Sequence, residues 1–181
     1  MRGWLASSAP ELWALELDFR GADLSGIDFT ESWFSGSNFA GCVLRACTLS
    51  RAHLEDADFT GADLRGVDLQ EASAPQACFA GADLRGSQLT TADLSHAHLV
   101  GADLAGVDLG DATLRGADLS GADLSGATAT AAALRGCLMD GAAVDGFNGT
   151  VIGPITVGNT HLDHAALEDW FTNRGAQITR H

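Results

Sequence analysis

The 181-residue chain has no lysine and no tyrosine, only three prolines, and ten basic residues, all arginine, against 24 acidic ones. Without lysine there is no Schiff-base amine and no phosphate-cradling ammonium, so those chemistries are excluded. A formal charge of -14 and a pI near 4.5 argue against a direct nucleic-acid binder, which needs a basic face to neutralise phosphates. They argue equally against docking on an anionic membrane. No apolar run approaches the roughly 18 residues of a membrane span. The first ten residues carry one charge and almost no apolar centre, a poor signal peptide, so a cytoplasmic protein is expected. Cys42, Cys47, Cys78 and Cys137 have neither paired metal-ligand spacing nor the density of a disulfide scaffold, and are read as small core or surface residues. His53, His96, His98, His161, His164 and His181 are scattered, and His96 and His98, the nearest to a pair, have no Cys or acidic ligand set at metal spacing. No catalytic, metal or cofactor site is predicted, and the chain is not expected to be an enzyme.

What the sequence does have is a period of five. From Phe19 through Leu24, Phe29 and Phe34 to Val144, 24 of 26 positions at this spacing are Leu, Phe, Met or Val, and the register never slips. The residue two before each centre is small, as at Ala62, Ala82 and Ala102. The residue just before the centre is often Asp, and the residue two after it is Gly in 16 of the repeats. Neither a helix nor a flat strand accepts this period, but a coil that turns a corner after each short extended segment does. The large centre and the small residue two before it share the inward face, and the Asp between them points out. Gly supplies the positive φ that a type II corner requires at its third position.

The pattern Ala-Asp-Leu-x-Gly, unblemished at 62–66, 82–86, 102–106, 117–121 and 122–126, resembles the pentapeptide-repeat family. The resemblance covers about residues 17–146 and implies an all-β fold, a right-handed, quadrilateral parallel β-helix with four repeats per coil. Residues 20 apart should then stack, and the glycines support this. Gly21, Gly41, Gly61, Gly81, Gly101, Gly121 and Gly141 form one unbroken column. Gly26, Gly66, Gly86, Gly106, Gly126 and Gly146 form the next, interrupted only by Ala46. A third column, Glu31, Arg51, Glu71, Thr91, Asp111 and Ala131, has no Gly, so a different corner geometry is expected there. Ala74 and Pro75 are the one flaw in the repeat, read as a local bulge that keeps register, with a hinge or partner contact as the functional alternative.

Three parts are expected: an N-terminal cap over residues 1–16, the solenoid over 17–146, and a C-terminal cap over 147–181. Trp4, Leu5, Leu12 and Trp13 make the first segment too apolar for a free tail. Asn148-Gly149-Thr150 is read as a turn, where the periodicity decays. A short helix is predicted over about 162–174, capped by Thr160 or Asp163, with Arg174 suiting its C-terminal end and Gly175 stopping it. Its stripe of Leu162, Ala166, Leu167, Trp170 and Phe171 must be covered, either by its own coil or by the same helix of a second chain.

Residues 162–175 resemble the C-terminal helix of the quinolone-resistance pentapeptide proteins of the MfpA and Qnr type. The unbroken register, without inserted loops, places the chain nearer the MfpA-like branch. This resemblance implies a homodimer formed through the helix stripe. It also implies a DNA mimic that binds DNA gyrase, with topoisomerase IV as a further candidate. Such proteins inhibit the enzyme or protect it from quinolones or gyrase-poisoning toxins. The gyrase-facing surface would be acidic, with Asp23, Asp63, Asp83, Asp103 and Asp123 on one side and Asp18, Asp58 and Asp118 on its neighbour. Arg45, Arg65 and Arg85 form a partly compensating ladder beside the first group. Residues 17–146 hold 19 acidic and 7 basic residues, a net of -12 on a rod of about 31 Å at the ~4.8 Å strand spacing. B-DNA of that length carries about 18 charges. The alternative reading is a generic scaffold for an unrelated protein partner.

Overall fold

In the computed structural model, which describes residues 16–179, the chain winds into a β-helix solenoid whose rungs repeat every 20 residues. The predicted N-terminal cap, with Trp4, Leu5, Leu12 and Trp13, lies outside the described residues apart from Glu16. Each repeat contributes one parallel bridge, at the residue before its centre, giving four columns per coil. The first column runs from Asp18, the second from Asp23, the third from Asp28 and the fourth from Trp33.

The repeat is dictated by where its five backbone N–H groups go, since a buried donor left unpaired is costly. In Ala102–Gly106, Ala102 N–H closes the preceding corner on Leu99 O (3.1 Å) and Asp103 N–H bonds Ala82 O one coil before (2.9 Å). Leu104 and Gly106 N–H reach forward to Asp123 O (2.7 Å) and Ser125 O (2.9 Å). The fifth donor, Ala105 N–H, bonds the Asp103 side chain at 3.1 Å. The centres and the small residues two before them are buried. Phe19, Phe39, Phe59 and Phe79 stack rung on rung with centroids 4.8, 4.9 and 5.0 Å apart. This spacing is that of paired strands, so backbone pairing and aromatic stacking reinforce each other. Cys42, Cys47 and Cys137 occupy the small inward position, their thiols against carbonyls of the preceding coil. Cys78 is half-buried at a bridging position.

The corners depart from the sequence expectation. The third corner column has the same positive φ as the glycine columns, between 55° and 59° from Glu31 to Ala131. Its N–H groups are held by the next coil, as in Glu31 N–H to Ser50 O at 2.9 Å, so inter-coil pairing imposes the left-handed conformation on non-glycine residues. That conformation costs an L-residue about 1–2 kcal/mol, and a β-branched residue such as Thr91 (φ 59°) is its least natural occupant. Thr91→Gly is therefore expected to stabilise the protein by about 1 kcal/mol after the entropy of the unfolded glycine is subtracted. A urea titration checks this, and a lower midpoint for the variant would contradict it.

The expected bulge at Ala74-Pro75 is absent. Bridges His53–Ser73–Asp93 continue through it, and Ala74 N–H bonds Asp93 O at 2.8 Å. Pro75 sits at the first turn position, whose N–H is not used by the inter-coil ladder and in the Asp repeats bonds a side-chain oxygen, as in Ala105 to Asp103. A residue without an N–H fits there, and residue 73 is accordingly Ser rather than Asp.

Strands β1 (Thr128–Ala133), β2 (Asn148–Ile152) and β5 (Gln177–Thr179) extend the third column as a parallel sheet in the order β1-β2-β5. Asn148-Gly149-Thr150 is thus a strand rather than the expected turn. Gly149 is required there, because a Cβ would lie 2.5 Å from the Ala129 carbonyl. β3 (Ile155–Val157) and β4 (Thr160–Leu162) form an antiparallel hairpin, and helix α1 (His164–Thr172) follows with Asp163 at its N-cap. Gly175, at φ 84°, stops the helix in a Schellman arrangement, with Ala176 N–H on Phe171 O and Gly175 N–H on Thr172 O.

Candidate partner-binding surface

Where a repeat carries an outward Asp, that side chain has a structural duty. Its Oδ1 accepts the N–H two residues on, as in Ser25 to Asp23 (3.1 Å), Thr60 to Asp58 (2.9 Å) and Ser120 to Asp118 (3.0 Å). Asn38 does the same for Ala40 at 2.9 Å, so the cap uses an Asx side-chain oxygen and not a charge. The acidic surface is built on turn chemistry that Asn would serve equally well.

In the second column Asp63, Asp83, Asp103 and Asp123 bridge on consecutive rungs, whereas Val43 separates them from Asp23. The arginine ladder neutralises much of this run. Asp63 receives Arg45 at 2.7 Å and Arg65 at 2.8 Å, Asp83 receives Arg85 at 2.6 Å, and Asp103 receives Arg85 at 3.2 Å. The Arg65 side chain, with Arg45 behind it, outweighs partial burial and holds the Asp63 carboxyl well below the usual carboxylate range. Arg85 lowers Asp83 in the same way. These depressed values add stability above the ordinary Asp range that is lost as pH falls through them. The pairs are partly exposed, so each contributes little.

The first-column residues do not form a continuous stack. Asn38 lies between Asp18 and Asp58, and Cys78 and His98 lie between Asp58 and Asp118. Asp18 is moreover paired with Arg20 at 2.7 Å, whose side chain holds its carboxyl down at about 2. The acidity of the third column was missed by the sequence reading, which took it only as a corner without Gly. Its bridging positions carry Asp28, Asp68 and Asp108, and its corner adds Glu31, Glu71 and Asp111. Arg51 is the lone arginine there, divided between Glu31 (3.3 Å) and Glu71 (3.1 Å). Summing charge over all five positions of each side of the coil would have found this column from the sequence.

At the C-terminal end, Phe171 is fully buried and stacks on Phe147 with centroids 5.1 Å apart. Trp170 packs edge-on to Phe171 at 5.0 Å, and Arg174 lies 4.4 Å over the indole while donating to Trp170 O. Of the five stripe residues, Leu167, Trp170 and Phe171 are thus buried in the cap of their own coil stack. Leu162 is half-buried and Ala166 exposed. Among the described residues no three potential metal ligands converge, and no helix is long and apolar enough to cross a membrane.

The family model for pentapeptide repeats matches the chain over residues 16–51, 37–73, 47–86, 75–111 and 102–141. HetL, a pentapeptide repeat protein involved in heterocyst differentiation regulation in the cyanobacterium Nostoc, is 25% identical, with 87% of this chain and 88% of that one covered and a TM-score of 0.37. A second Nostoc pentapeptide repeat protein, alr5209, is 29% identical, covering 73% of this chain and 84% of its own, at a TM-score of 0.40. QnrB1, a plasmid-mediated fluoroquinolone resistance protein, is 22% identical over 90% of this chain and 95% of that one, at a TM-score of 0.39. No curated protein sequence matches the chain.

Proposed function

The chain belongs to the pentapeptide-repeat family, and from that premise we propose a cytoplasmic, non-enzymatic protein-interaction scaffold that binds DNA gyrase in place of DNA. The solenoid would be right-handed and four-sided. The observation that carries the reading is charge placed at rung spacing: a net of -12 over residues 17–146, against about 18 phosphates on duplex DNA of that length. The third column is the densest part of that surface, with six carboxylates against Arg51. Gyrase as the partner, with topoisomerase IV behind it, rests on the resemblance of residues 162–175 to the quinolone-resistance helix. A homodimer follows from the same resemblance. Since three aromatic and aliphatic anchors are engaged in the cap, the second chain would meet Leu162, the exposed Ala165 and Ala166, and the exposed Ile152. A rod of this kind would inhibit gyrase by occupying its DNA saddle, or shield it from drugs that act on bound DNA. A supercoiling assay with and without ciprofloxacin tests this. The expected result is reduced supercoiling, or drug protection, that weakens as salt is raised. An enzyme unaffected at every protein concentration would leave the scaffold with a different partner.

A further inference from the structure

Every arginine of the solenoid but two has a carboxylate partner. Arg20, Arg45, Arg51, Arg65 and Arg85 each lie within 3.4 Å of an acidic oxygen. Arg115 and Arg135 have none within ion-pair distance among the described residues, although acidic side chains outnumber basic ones more than twofold. They are exposed and occupy equivalent positions on consecutive rungs of the fourth column, about 4.8 Å apart. His96 N–H bonds Arg115 O at 2.8 Å, and Gly116 N–H bonds Arg135 O at 3.0 Å, so backbone pairing fixes the three residues side by side. The His96 ring leans over Gly116, whose Cβ, if present, would lie 2.6 Å from Nδ1. Asp93, the carboxylate at a bridging position of the same column, turns its Oδ1 to Ser95 N–H at 2.9 Å. Two like charges held a rung apart without compensation repel, and an added oxyanion would relieve both.

The geometry points to a carboxylate-binding site at Arg115 and Arg135 that docks an acidic segment of a protein partner, separate from the acidic columns. Paired guanidiniums suit an oxyanion because each offers a planar fork of donors. The surrounding column supports a protein rather than a nucleic acid. It has few carboxylates, and four rungs away it presents Trp33, stacked on His53 at 3.7 Å. Protein interfaces are enriched in Trp and Arg and depleted in Asp and Glu.

The test needs no gyrase. Fluorescence anisotropy of a fluorescein-labelled hexaglutamate peptide with the full chain at low salt is expected to show saturable 1:1 binding. Arg115→Gln with Arg135→Gln should weaken it tenfold or more. Arg45→Gln with Arg65→Gln, which changes net charge equally but removes paired arginines, should weaken it less than threefold. Circular dichroism confirms that each variant folds. No saturable binding, or equal losses in the two double variants, overturns the site. Tighter binding of a short DNA duplex than of the peptide overturns the choice of partner.

Discussion

Replacing Leu104 with Asp is expected to destabilise the solenoid by about 5 kcal/mol, close to the whole stability of an ordinary domain. Leu104 is fully buried, between Leu84 and Leu124 in the same inward column. The change removes about 2–3 kcal/mol of apolar burial and buries a carboxyl that nothing nearby can pair. Its neighbour gives the contrast. Asp103 points out, caps the Ala105 N–H at 3.1 Å and meets Arg85 at 3.2 Å. Asp103→Asn keeps the cap and should change stability by less than about 1 kcal/mol, whereas Asp103→Ala frees an N–H and should cost about 1 kcal/mol. Urea unfolding followed by circular dichroism separates the three. Equal losses at positions 103 and 104 would contradict the inward and outward assignment.

Phe171→Ala is the second large effect, at about 3–5 kcal/mol, because it opens a cavity between α1 and the last coil. Phe171 has no exposed surface, and its ring covers Phe147, which would otherwise end the core at solvent. The loss should be local at first, since a solenoid frays from an uncapped end. Amide exchange in β2 and β5 should accelerate before the rungs around Leu64 respond. If stability were unchanged while sedimentation showed a dimer become a monomer, Phe171 would belong to an interface between chains and not to this cap.

The period of five was legible in the large centres and the small inward residues, and the coil length in the corner glycines that recur at spacing 20. Corner geometry was not, because Glu31, Arg51 and Thr91 adopt positive φ under inter-coil hydrogen bonds that only the assembled stack supplies. Pro75 looked like a defect in the linear sequence, yet it occupies the one position whose N–H the ladder does not use. The Asp columns were visible, but their cause was not. Oδ1 capping of the next corner, shared by Asn38, appears only once the turn is folded. Charge compensation was half legible. The Arg45–Arg65–Arg85 ladder was found, while the acidity of the third column went unnoticed because its acids divide between bridging and corner positions. The stripe on α1 was readable as apolar, but nothing in its spacing distinguishes an intramolecular cap from a second helix.

The direct measurement is competition between this protein and linear duplex DNA for gyrase, using two variants that each remove four charges. One replaces Asp28, Asp68, Asp108 and Asp111 with Asn, and the other replaces Asp63, Asp83, Asp103 and Asp123 with Asn. Capping oxygens survive wherever the Asp caps a corner, so both should fold. The wild type should displace DNA in a salt-sensitive manner. The first variant should lose at least tenfold in apparent affinity, mainly through association rate, because no arginine in the described residues lies within ion-pair distance of those four carboxylates. The second should lose less, since Arg45, Arg65 and Arg85 already offset part of its column. A wild type that leaves DNA bound to gyrase at all concentrations, or a first variant that competes as well as wild type, would contradict DNA mimicry by this surface.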